Sequence, residues 1–258
     1  MLDCKSGRPM AVPELRTRSR TVEPFAEAEY PEHPYPGARP DCSFVHLDGV
    51  GYPLLPDPTT PSGWRVRTGN GADLCLDAWL VEQGAAPLRR RRPVLAYGSN
   101  ACPEKIGWLR ENLALTGPAV VLRAECSGLA AVWSSGLRPR DGQRPAVLAA
   151  ASGVTEQHTV WYATAEQRRV LDRCEGRGKR YRLVRLHDST AIELENGQTP
   201  DRVLAYTAAI REMAPLLVND SVVRCAELGQ QQALGLRGNP AAGDGLACSE
   251  IVGEPSPA

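Results

Sequence analysis

A mixed α+β fold is what this sequence predicts, with a curved or barrel-like sheet, short helices and a small N-terminal appendage. Three observations lead there. Between residues 94 and 208, short apolar runs bounded by Gly, Pro, Asn or Ser outnumber stretches with helical spacing, as in domains whose many short strands curve to cover one another. Only three segments, 73–83, 103–115 and 164–176, set apolar residues on one helical face beside a start or stop signal. Half of the 22 prolines lie before residue 62, and each removes a backbone donor and disfavours helix at its predecessor.

The elements follow in order. Residues 1–35 read as an extended Pro-rich disordered arm. Residues 36–92 form the appendage: a strand over 43–50 (SFVHLDGV), another over Trp64–Val66, and a helix over 73–83 with Leu76, Trp79 and Leu80 on one face and Gly84 at its C-cap. Four consecutive arginines, Arg89 to Arg92, read as a solvated linker that closes it. The main domain, 93–218, opens with a buried strand over 94–97, a Gly98-Ser99-Asn100 loop, and a helix started by Pro103 that carries Ile106, Leu109, Leu113 and Leu115. Strand-like runs follow at 119–124, 129–133, 145–151 and 155–162. Thr164 and Gln167 form a capping box for a helix with Val170, Leu171 and Cys174 on its apolar stripe and Gly176 at its end. Further strands cover Tyr181–Leu186, 190–194 and 203–208, with an Asn196-Gly197 turn between the last two. Residues 219–258, rich in Gly, Pro and Ala from 235 to 247, read as loop and tail.

A chain of 258 residues with 42% hydrophobic and 23% charged side chains is of ordinary globular composition, long enough for one large domain. Thirty basic and thirty acidic residues cancel, so the electrostatic footprint of a nucleic-acid or membrane-surface binder is missing and a small-molecule or protein partner is expected. All the basic residues but Lys5, Lys105 and Lys179 are arginines, which reads as codon bias before mechanism. No apolar run approaches the length of a membrane span and residues 1–20 hold no signal-like apolar stretch, so the reading is cytoplasmic. The eight cysteines are scattered without C-x-x-C pairs or zinc-ligand clusters, predicting mostly reduced thiols and no structural metal.

Two constellations offer chemistry. Tyr97-Gly98-Ser99-Asn100 lies between a strand and a helix, where Gly permits close backbone approach and exposed amides can receive an anionic or carbonyl oxygen; a plain turn is the alternative. Glu175, in Leu171-Asp172-Arg173-Cys174-Glu175-Gly176, sits at a helix C-terminus, where the helix dipole and partial burial both disfavour its ionised form and suit it to proton transfer; a solvent-exposed terminal carboxylate is the alternative.

Taken in order, strand-YGSN-helix, several strands, LDRCEG and then Tyr181-Arg182, the set resembles the gamma-glutamylcyclotransferase-like family over about residues 93–210. The resemblance implies that the loop of Tyr97, Gly98, Ser99 and Asn100 holds a gamma-glutamyl group and that Glu175 is the catalytic proton shuttle. Tyr181 and Tyr206 match aromatic positions near the pocket. It implies a cofactor-free enzyme that cyclises a gamma-glutamyl amide to 5-oxoproline and releases an amine or amino acid. Ala101 stands where the family carries a bulky aliphatic, and everything before residue 93 lies outside the pattern. The alternatives are a non-catalytic protein binding a small acidic metabolite or a protein partner, and a related acyl-transfer or amide-cleaving enzyme of a specialised pathway.

Other sites compete less well. Ser99 lacks the G-x-S-x-G elbow of a nucleophile, and none of His33, His46, His158 and His187 is placed by sequence to serve it. Gly176-Arg177-Gly178-Lys179 lacks the spacing and the Ser/Thr of a phosphate loop. Cys102 and Cys174 flank the two segments as either redox-sensitive or inert buried thiols.

Overall fold

The computed structural model describes residues 23–187 and 191–254. Its N-terminal part comprises strands Phe25–Ala26 (β1), Phe44–Leu47 (β2), Val50–Pro56 (β3), Trp64–Val66 (β4) and Leu74–Cys75 (β5), then helix Leu76–Glu82 (α1). There follow Arg92–Ala96 (β6), helix Pro103–Leu113 (α2), Ala119–Trp133 (β7), Ala146–Ala163 (β8), helix Ala165–Glu175 (α3), Tyr181–Leu186 (β9), Ile192–Leu194 (β10) and Leu204–Ala208 (β11). The chain continues through Leu216–Val218 (β12), Ser221–Val222 (β13), helix Gln230–Leu234 (α4), Asn239–Pro240 (β14) and Cys248–Glu250 (β15).

Among the described residues twelve strands join in one mixed sheet, whose main path runs β15-β9-β11-β6-β8-β7-β2-β3-β4-β5. This path has two ends, so the α+β class holds while the expected barrel does not close. The reason lies on the free edge of β7, where β2 pairs with Ala119 to Val121 and β10 with Ala124 to Cys126. The N-terminal strands thus extend the sheet outward instead of returning to its other edge. Side chains alternate between two cores: Val120, Leu122 and Val160 join Trp64 and Trp133 on one face, while Val121 and Trp161 join Ile106, Leu109, Val170 and Leu171 on the other. Helix α1 covers the first face with Leu76, Trp79 and Leu80, and α2 and α3 supply the second. Burial on both faces explains why β7 opens with an unbroken apolar run rather than a polar-apolar alternation.

Several sequence expectations change. The four runs read as separate short strands merge into the fifteen-residue β7 and the eighteen-residue β8. Their register shifts between Ser127 and Leu129, where Gly128 and Gly153, at φ 74° and 75°, absorb a bulge without ending either strand. The segment 36–92 is no separate appendage, because β2 and β3 belong to the main sheet. The part of residues 1–35 that lies among the described residues is packed rather than a loose arm: Phe25 and Tyr35 are buried, and Phe25 lies so close over Gly51 that any Cβ there would overlap its ring. Residues 1–22 of that arm lie outside the described residues. Arg91, in the supposed linker, is buried and donates to the carbonyls of Ala86, Pro118 and Tyr162, and burial lowers its pKa to about 10. Residues 219–254 are likewise structured, since β15 pairs with β9 and β12 lies between β13 and β14. The buried Arg144 guanidinium anchors α4 by donating to the carbonyl of Ala233. No described helix is long and apolar enough to cross a membrane.

Candidate functional site

Strand β6 ends at Ala96, and Tyr97 and Gly98 lead into a 3-10 turn, Ser99–Ala101, before Pro103 starts α2. Arg39 reaches this loop from outside the family-like segment and donates to the carbonyls of Tyr97 (3.0 Å) and Gly98 (2.8 Å). In a trans peptide the C=O and N–H point in opposite directions, so carbonyls drawn toward Arg39 turn the amides of Gly98 and Ser99 away from it. Among the described residues none accepts the backbone N–H of Gly98, Ser99 or Asn100, which leaves three donors at one turn. Trp161 Nε1 fixes the turn from below by donating to the Asn100 carbonyl at 2.8 Å. Gly98 itself has φ −104°, outside the left-handed region that favours glycine. What demands glycine is space: a Cβ would sit 3.0 Å from the Tyr35 hydroxyl.

Glu175 is the last residue of α3. The Thr164 hydroxyl accepts from the Gln167 amide, closing the predicted capping box at the start of the helix, and Gly176 ends it in the left-handed conformation at φ 65°. Arg180 donates to the carbonyls of Glu175 and Cys174, satisfying acceptors that the helix end leaves open. The Glu175 carboxylate receives Asn100 Nδ2 at 2.7 Å. Burial lifts its pKa above the ordinary carboxylate range, and the Asn100 hydrogen bond together with the charges of Arg180, Lys105 and Arg138 only partly opposes this. The aspartate of the same LDRCEG segment serves the framework instead, for Asp172 accepts from the Tyr206 hydroxyl at 2.8 Å and pairs with Arg177 at 3.0 Å.

These segments meet in a cleft lined by Tyr97, Gly98, Ser99, Asn100, Glu175, Tyr181 and Tyr206, so the seven residues to which the resemblance points come together there. Its volume is about 70 Å³, room for about five waters or one slim polar chain. The phenols are held in place, with Tyr97 Oη donating to the Tyr206 carbonyl at 2.5 Å and Tyr181 Oη 3.5 Å from the Ala146 carbonyl. Burial raises the pKa of Tyr97, Tyr181 and Tyr206 well above the usual phenol value, so all three are neutral. No histidine lines the cleft, so Ser99 has no imidazole beside it there. Burial pushes the Cys174 thiol up to about 11 and raises Cys102 as well, the behaviour of inert thiols.

Sequence reasoning missed the cleft's other wall. Lys105, Arg138, Arg140 and Arg180 all line it, so several cations face one carboxylate, an environment for a small molecule bearing carboxylates of its own. Lys105 is buried with Nζ 3.4 Å from the Trp108 ring centroid, and Arg138 lies over the Tyr35 ring and pairs with Asp141 at 2.8 Å. Lys105, one of only three lysines, carried the one available signal; the arginines were hidden among many. Tyr35 also lines the cleft, from a segment whose prolines disguised it. Among the described residues no group of three or more His, Cys, Asp or Glu is placed to hold a metal ion.

No known family model matches this chain, and no curated protein does. Among solved structures, that of an uncharacterized protein from Homo sapiens is similar at 16% identity and a TM-score of 0.39, over 60% of this chain and 94% of that one.

Proposed function

We propose that the protein is a cofactor-independent enzyme that cyclises a gamma-glutamyl amide to 5-oxoproline and releases an amine or amino acid, as the resemblance of its YGSN and LDRCEG segments implies. The observation that carries this reading is the Asn100–Glu175 hydrogen bond, which joins a loop of unpartnered amides to a carboxyl whose pKa burial raises. The reaction asks for little beyond those parts. The attacking α-amine and the γ-carbonyl belong to one substrate, so the protein needs only to hold the chain folded and to move protons. The substrate ammonium first loses one proton to water. Its nitrogen then attacks the γ-carbon, forming the ring C–N bond, while Glu175 takes the second proton and the loop amides receive the oxyanion. Glu175 returns that proton to the amide nitrogen, the old C–N bond breaks, and the freed amine takes its last proton from water. The cation wall suits the carboxylates of such a substrate.

The test is incubation of the purified protein with a panel of gamma-glutamyl amino acids and gamma-glutamyl amines, scoring 5-oxoproline. Release from at least one is the expected outcome. Binding of these compounds without release supports instead a carrier of small acidic metabolites.

A further inference from the structure

Tyr35 comes from a stretch that precedes the family-like segment by more than fifty residues, yet its side chain closes the cleft beside the loop. The hydroxyl accepts the backbone N–H of Ala146 at 2.9 Å, and among the described residues no group accepts its proton. Its oxygen lies 3.0 Å from the point where a Gly98 Cβ would stand. The hydroxyl and the amide edge of the loop therefore border the same small volume. The ring cannot readily swing away, since it is buried, packed against Trp133 at 6.2 Å between centroids and covered by the Arg138 guanidinium at 4.9 Å. Such fixed donors stabilise developing charge without reorganising during the reaction.

We infer that the Tyr35 hydroxyl is a further catalytic group, donating a hydrogen bond to the substrate γ-carbonyl oxygen received by the Gly98 and Ser99 amides; this rests on the cyclising function proposed above. No proton leaves Tyr35 in the process. The oxygen gains negative charge as the ring bond forms and loses it as the old C–N bond breaks, and the phenol donates throughout. Burial raises the Tyr35 pKa, which keeps its proton in place beside an oxyanion. Glu175 moves protons on nitrogen while Tyr35 holds the oxygen, so the two groups divide the work.

Tyr35→Phe tests this directly, because it keeps the ring and removes only the hydroxyl. Turnover is expected to fall by about 100-fold with KM raised by no more than about tenfold, the pattern of a donor that touches the ground state and counts most in the transition state. Unchanged kcat overturns the inference. A second measurement separates it from the proposed reaction. The product 5-oxoproline carries the same oxygen as its lactam carbonyl, and calorimetry should show its binding weakened about tenfold in Tyr35→Phe. Equal affinity of both proteins overturns the role of Tyr35 whether or not turnover is found. A wild type that binds 5-oxoproline but releases none from any gamma-glutamyl compound overturns the cyclising reaction, and the catalytic role of Tyr35 with it. A wild type that does not bind 5-oxoproline overturns the Tyr35 inference as well. Incorporation of 3-fluorotyrosine, which retains the hydroxyl and its bond to Ala146, should preserve 5-oxoproline affinity; loss there to the same extent as in Tyr35→Phe assigns the residue a purely structural role.

Discussion

Glu175 is costly to keep ionised: burial raises its pKa, and the Asn100 hydrogen bond offsets only part of that. Glu175→Gln keeps the shape but cannot accept a proton, so turnover should fall by about 100-fold or more with substrate affinity nearly intact. The same variant should melt higher at neutral pH. A raised folded-state pKa means that the carboxyl favours the fold while protonated and loses that advantage as pH rises. The difference in melting temperature should therefore be absent below the ordinary value of 4.5 and grow as pH rises through the folded pKa. Gly98→Val should abolish 5-oxoproline binding in a protein that still folds, through collision with the Tyr35 hydroxyl, since no positive φ is at stake there; overpacking of that kind costs about 1–3 kcal/mol. Undiminished affinity in the folded variant would remove the loop from the site. Residues of this kind were legible in the sequence because their signals are local: Tyr97 to Asn100 and Asp172 to Gly176 each combine a secondary-structure boundary with polar side chains. Tyr35 and Arg39 were not, because their partners lie far along the chain and nothing in their neighbours announces it.

At the level of elements, prolines misled the reading of residues 23–35. A proline withholds a ladder donor, but it does not prevent a chain from being held by its side chains, and here Phe25 and Tyr35 are buried among aromatic neighbours. A polar clasp adds to this. His46 on β2 donates from Nε2 to the Glu27 carboxylate at 2.9 Å, while Arg110 on α2 donates to the His46 carbonyl at 2.8 Å. Burial first, and the Arg110 charge second, hold the His46 pKa down to about 3, so the donor is a neutral imidazole and the contact is not an ion pair. The sign follows from linkage: the folded protein keeps His46 neutral, the unfolded chain protonates it near 6.5, and the stability present above pH 6.5 is lost as pH falls toward 3. In that window the group contributes a slope of about 1.4 kcal/mol per pH unit. Urea melts from pH 7 to pH 4 should show a dependence that loses this slope in His46→Gln, and an unchanged dependence would place the acid sensitivity elsewhere. Helices α2 and α3, in contrast, were legible nearly to the residue, since the capping box at Thr164 and the proline at Pro103 are written into short stretches of chain, whereas α4 lay in a stretch read as loop.

For the whole molecule, the strand-rich class was readable from the spacing of apolar runs, while the course of the sheet was not, because pairing partners leave no mark on either strand. A chain divided at the four arginines should unfold in two steps. The observed sheet crosses that point through the pairing of β2 with β7, so calorimetry should give a single transition whose calorimetric and van't Hoff enthalpies agree, and two resolved transitions would restore the boundary. Strands β6 and β11 lie parallel, with Leu204 beside Val94 and Ala205 beside Leu95, and this pairing brings Tyr206 level with the loop at the end of β6. The two strands are separated by the whole course of β7, β8, α3 and β9, so a long loop must close before the pairing rewards it, and such contacts slow folding. Ligand binding is therefore a reporter of completed assembly. After a jump from denaturant, recovery of 5-oxoproline binding should follow the slowest kinetic phase, well after helical circular dichroism has returned.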